Sequence, residues 1–88
     1  MKLIIAIVRD TDSDLVSQAL TSRNFRVTGI ASTGGFLRRG NTTLLIGLDD
    51  ERVDEALTVI RDTVSAPSSQ DEQRGVLFVL KVDQHDHF

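Results

Sequence analysis

Apolar and polar positions change period along this chain, and each change marks an element. Leu3 to Val8 is continuously apolar and rich in Ile, a pattern that predicts a strand covered on both faces. Thr11 to Asp14 then supplies a helix start, with Thr11 or Asp12 as N-cap and carboxylates in the first turn, where they complement the helix dipole. The predicted helix runs to about Ser22, with Leu15, Val16, Ala19 and Leu20 as its apolar stripe. From Phe25 to Ser32 the period becomes two. Phe25, Val27, Gly29 and Ala31 fall on one face, and Asn24, Arg26, Thr28 and Ile30 on the other. Asn41 to Leu48 contains the unbroken run Leu44, Leu45 and Ile46, which again predicts a strand covered on both sides. A second helix opens at Asp49 and Asp50, with Val53, Ala56, Leu57, Ile60 and Val64 at helical spacing. Val76 to Val82 is the fourth strand.

The order is β-α-β-β-α-β in 88 residues, which predicts a single α+β domain, a ferredoxin-like sandwich with both helices on one face of an antiparallel sheet. Strands one and three are apolar on both sides, so the helix-free face needs a cover. A chain this short can obtain one only from another copy, which predicts a homo-oligomer.

Two polar stretches interrupt the elements. Residues 65–74, SAPSSQDEQR, hold the only proline and almost no apolar surface, the composition of a solvated loop. Residues 32–43, STGGFLRRGNTT, are more informative. Gly34 and Gly35 permit close backbone approach by a ligand, with N–H groups free to hold a phosphate. Phe36 is either a core plug or a stacking platform for a planar ring. Asn41 either caps the turn or reads a base edge with its amide.

Charge places this loop in a distinctive field. No Asp or Glu occurs from Leu15 to Leu48, while Arg23, Arg26, Arg38 and Arg39 do. That interval therefore carries +4 in a chain whose net charge is −3, leaving −7 on the remainder. Concentrated positive charge on an acidic protein favours one anionic site over a broad nucleic-acid surface. The guanidinium, amide and hydroxyl of Arg26, Asn24 and Thr28 share a face and suit a phosphate–sugar–base ligand, whereas Arg38 and Arg39 at a loop tip suit steering. Catalysis gains no support, because neither histidine can be set beside a hydroxyl. His85 and His87 read as a surface tail and not as a metal site. The absence of cysteine removes disulfides and thiolate sites and points to a reduced cytoplasm. MKLIIAIV is too short for a membrane span and reads as a buried strand.

Together MKLIIAIV, NFRVT, the loop TGGFLR-x-GNTT, DDERVDE and FVLKVD resemble the cyclic di-AMP receptors of the P-II-like signalling superfamily over nearly the whole chain. The resemblance implies a ferredoxin-like homotrimer that binds cyclic di-AMP in clefts between subunits, without catalysis and without a further cofactor. It implies ligand contacts from Asn24, Arg26, Thr28, Gly35, Phe36, Leu37, Asn41 and Gly47, and an aromatic wall from Phe78. Leu37, Gly47 and Phe78 enter on the resemblance alone. Two departures stand out. The loop before the last strand, 65–74, is short where the family carries a long one. The family tail FHQF is replaced by His85, Asp86, His87 and Phe88, leaving His87 as the candidate donor to a base. Other readings are a P-II-like sensor of ATP or ADP, and an acylphosphatase-like hydrolase, for which the acidic, glycine-free stretch Arg9 to Ser13 makes a poor phosphate cradle. A downstream protein partner is expected; a nucleic-acid polymer or a membrane is not.

Overall fold

The computed structural model describes residues 1–31, 40–64 and 75–83. Strand β1 (Lys2–Arg9) is followed by helix α1 (Asp10–Thr21), strands β2 (Arg26–Ala31) and β3 (Asn41–Leu48), a 3-10 turn (Asp50–Arg52), helix α2 (Val53–Thr63) and strand β4 (Gly75–Lys81). The sheet order is β2-β3-β1-β4 and each neighbouring pair is antiparallel. This is the ferredoxin-like arrangement that the element order predicts.

Alternation along the two central strands decides where the core lies. Ile4, Ala6 and Val8 of β1 and Leu44, Ile46 and Leu48 of β3 are buried against Val16 and Leu20 of α1 and Ala56, Val59 and Ile60 of α2. Burial of each large aliphatic side chain contributes roughly 1.5–3 kcal/mol. The intervening Leu3, Ile5, Ile7 and Leu45 point to the other face and are only half-buried. Continuous apolarity in these strands thus corresponds to one face covered by helices and one on which no helix of the described residues packs. Among the described residues, no helix is long and apolar enough to cross a membrane.

Several local expectations are corrected. Helix α1 begins at Asp10, and neither Thr11 nor Asp12 caps it; Arg9 occupies the N-cap position without a side-chain cap. The strand feeds directly into the helix, so Arg9 to Ser13 forms no phosphate-type loop. Asp12 is instead fully buried, with its Oδ2 3.2 Å from both Nε and Nη2 of Arg9. The buried stripe of α1 is therefore Asp12, Val16 and Leu20, every fourth residue, and Leu15 lies on the flank, 55% exposed.

Strand β2 starts one residue later than its alternation suggested. The Phe25 N–H donates to the Leu20 carbonyl (3.1 Å) and the Asn24 N–H to the Thr21 carbonyl (3.0 Å), with Asn24 at φ 68. This pair of bonds is a Schellman closure, in which a left-handed residue stops the helix and the following apolar residue packs back on its last turn. Asparagine tolerates that conformation better than most residues. At the other helix, a 3-10 turn precedes α2, which begins only at Val53.

Candidate functional site: the open face of the sheet

The strand register sorts the open face into rows that cross all four strands. Arg26, Gly47, Leu3 and Leu80 form one row; Thr28, Leu45, Ile5 and Phe78 the next; Ile30, Thr43, Ile7 and Val76 the third. Asn41 opposite Arg9 adds a shorter fourth. Most of the face is apolar, and Ile30, Val76, Phe78 and Leu80 are exposed on it. Arg26, Thr28, Thr43 and Asn41 interrupt this surface as one polar stripe that follows the β2-β3 hairpin, while the Arg9 guanidinium is committed to Asp12.

Of the predicted site residues within the described segments, Arg26, Thr28, Asn41, Gly47 and Phe78 all lie on this face. They do not converge on one point. Arg26 and Gly47 are direct cross-strand partners, at the end of the hairpin away from its loop. Asn41 is six residues from Gly47 along β3, about 20 Å at a strand's rise per residue. Arg26 is therefore not beside the loop entrance, as strand alternation alone suggested; Ile30 and Ala31 are. Thr28 and Phe78 share a row but are separated by two strands, about 14 Å across the sheet. Asn24 is not a strand residue, and its left-handed backbone sets it at the rim next to Arg26. Gly35, Phe36, Leu37, Arg38, Arg39, His85, His87 and the loop 65–74 fall outside the described residues.

The Arg26 end has a defined architecture. Met1, Asn24, Arg26, Gly47 and Arg52 line a hollow of about 390 Å³. A Cβ at residue 47 would stand 3.1 Å from the Met1 Cε, a tight contact with the mobile end of a flexible side chain. Arg52 crosses behind this hollow. Its guanidinium carbon lies 3.9 Å from the centroid of Phe25, while Nη2 donates to the Arg23 carbonyl at 2.9 Å and to Glu55 Oε1 at 3.1 Å. Glu55 also faces Arg23, 3.5 Å away. These contacts tie the turn carrying Asn24 and Arg26 to the first turn of α2. Nearby, the N-terminal ammonium is 3.1 Å from Asp50 Oδ1 and holds that exposed carboxyl below its usual pKa.

At the other end, the Asp10 N–H donates to the Gly40 carbonyl at 2.8 Å, and Thr42 Oγ1 donates to Asp10 Oδ1. Gly40 has φ 88, a left-handed conformation that favours glycine. These bonds fix where the chain re-enters β3, and hence where Asn41 stands. Between the two ends sits Thr43, only 7% exposed, whose hydroxyl has no hydrogen-bond partner among the described residues.

Sequence reasoning missed Met1, Arg52 and Thr43. The spacing of Arg52 and Glu55 is a visible i, i+3 pair, but its reach to Phe25 and Arg23 depends on how α2 crosses the end of α1. Nothing in the local sequence distinguishes Thr43 from Thr42. Strand parity does, once the register is known.

The antiparallel sheet, its two helices and the polar stripe on the helix-free face define a small α+β sandwich of the ferredoxin-like, P-II-like kind. Comparison with known proteins narrows this. The chain belongs to the cyclic-di-AMP receptor family, whose model matches residues 1–71. It is also similar to a crystallographically characterised protein of unknown function from Pediococcus pentosaceus. The two are 39% identical with a TM-score of 0.77, and the match covers 99% of this chain and 96% of the other.

Proposed function

We propose that this protein is a non-enzymatic signal receptor that binds cyclic di-AMP where subunits of a cytoplasmic homotrimer meet. The observation that carries this reading is the polar stripe crossing an otherwise apolar sheet face in a chain of the cyclic-di-AMP receptor family. An apolar face with several exposed large side chains favours burial against other copies of the chain. Phe78 lies too far across the sheet to join Arg26 and Thr28 within one chain, so an aromatic wall at their ligand must come from a neighbouring subunit. In this reading Arg26 and the loop N–H groups at Gly35 hold phosphate. Thr28 and Gly47 shape the floor and Asn24 the rim, Phe36, Leu37 and Phe78 pack on adenine, and Asn41 and His87 read its edge.

Calorimetry with cyclic di-AMP on the purified oligomer tests the ligand, with ATP and ADP as competitors. Saturable binding that excess ATP and ADP fail to displace is the expected result. No heat and no thermal shift at millimolar cyclic di-AMP would reject it. Light scattering tests the assembly: a mass three times that of the chain is expected, and a monomer at low micromolar concentration rejects the intersubunit site.

A further inference from the structure

We infer that the Thr43 hydroxyl is a ligand-binding group of the open sheet face, donating a hydrogen bond to the sugar–phosphate part of the bound nucleotide. The inference rests on the receptor reading above but concerns a residue that reading does not use. Thr43 belongs to the third cross-strand row, between Ile30 of β2 and Ile7 of β1. Its Oγ1 is buried and has no hydrogen-bond partner among the described residues. Buried hydroxyls without partners are uncommon, because the group loses its water without replacement.

Its position gives such a group a use. Thr28 opposes Leu45, two residues from Thr43 on the same face, and that diagonal spans about 7–8 Å, within reach of one sugar–phosphate unit. Asn41 is two residues from Thr43 in the other direction, again on the same face. Thr43 therefore closes the gap in the stripe between the Arg26–Thr28 end, suited to phosphate, and the Asn41 end, suited to a base edge. Without it the stripe would be broken by the Ile30 and Ile7 row. Thr42, its neighbour, faces the opposite way and is engaged with Asp10, so only one of the two threonines is available.

The hypothesis makes a prediction of opposite signs. Thr43→Val keeps the side-chain shape and removes the unpartnered hydroxyl. The ligand-free protein should melt at the same temperature or higher, while affinity for cyclic di-AMP falls about tenfold, as expected for loss of one hydrogen bond. Thr43→Ser retains the hydroxyl and should bind within about twofold of wild type, the difference a minor packing loss makes. Calorimetry, thermal unfolding without ligand and light scattering on the three proteins read these effects. Unchanged affinity in Thr43→Val overturns the inference, as does loss of affinity that Thr43→Ser shares. A Thr43→Val variant that dissociates into smaller species also overturns it, because the hydroxyl would then serve the contact between copies. Wild-type protein that fails to bind cyclic di-AMP removes the receptor reading and this inference with it. A defect confined to the variants leaves the receptor reading standing.

Discussion

The guanidinium of Arg52 stacks on Phe25, 3.9 Å from the ring centroid, directly beneath the turn that separates Asn24 from Arg26. One side chain thereby joins the first turn of α2 to the rim of the candidate site, using the ring face, the Arg23 carbonyl and Glu55 together. Arg52→Ala should lower stability by about 1–2 kcal/mol, from one cation–π contact and the hydrogen bond to Arg23. It should also weaken nucleotide binding, because the turn presenting Arg26 loses its support. Arg52→Lys keeps the charge but not the fork and should recover only part of both. Urea unfolding and calorimetry on the same preparations check this.

Arg26 is exposed and faces away from the core, so Arg26→Ala should leave unfolding within about 0.5 kcal/mol of wild type. Affinity for cyclic di-AMP should fall by roughly ten- to a hundredfold, the range for losing a charge-assisted hydrogen bond. Raising salt should weaken the wild type more than the variant, since screening acts on the charge the variant lacks. Equal affinity in the two proteins would remove Arg26 from the phosphate site.

Two glycines in the sheet should respond differently to the same substitution. A Cβ at residue 47 meets the mobile end of Met1, whereas one at residue 75 meets the Ile7 carbonyl oxygen at 2.7 Å. Met1 can swing aside; a β1 carbonyl cannot move without disturbing the sheet. Gly75→Ala should therefore cost about 1–3 kcal/mol by overpacking against backbone. Gly47→Ala should leave the melting temperature nearly unchanged and weaken ligand binding, because the added methyl stands beside Arg26. Thermal unfolding separates the pair.

Asp12 lies fully buried against Arg9. Removing the arginine takes one partner from a fully buried carboxylate, so Arg9→Ala should destabilise by about 1–3 kcal/mol. Replacing both residues, Arg9→Met with Asp12→Leu, should recover much of the loss. A double variant no more stable than Arg9→Ala would mean that the pair contributes through more than its mutual attraction. Denaturant titrations measure all three proteins.

Much of the fold was legible in sequence. The period-two alternation of residues 25–32 placed Arg26, Thr28 and Ile30 on one face, as the register does. The run from Leu3 to Val8 marked a central strand, and the helical spacing through Ile60 marked α2. Helix boundaries were less legible, since Asp12 looks like a cap in sequence and is a buried ion-pair partner in three dimensions. Asn24 looked like the first residue of a strand face, although its left-handed backbone belongs to the end of α1.

The sequence by itself determined the order of elements, the alternation that sets Arg26, Thr28 and Ile30 on one face of β2 and the concentration of positive charge between Leu15 and Leu48. These are local matters, set by side-chain period and by neighbours a few residues away. Only the tertiary structure decided which strands adjoin, and so that Arg26 faces Gly47, that two strands lie between Thr28 and Phe78, and that Thr43 sits in the gap between the two polar ends. Register joins residues far apart in the chain through backbone hydrogen bonds, and those bonds carry no signature in the side chains they bring together.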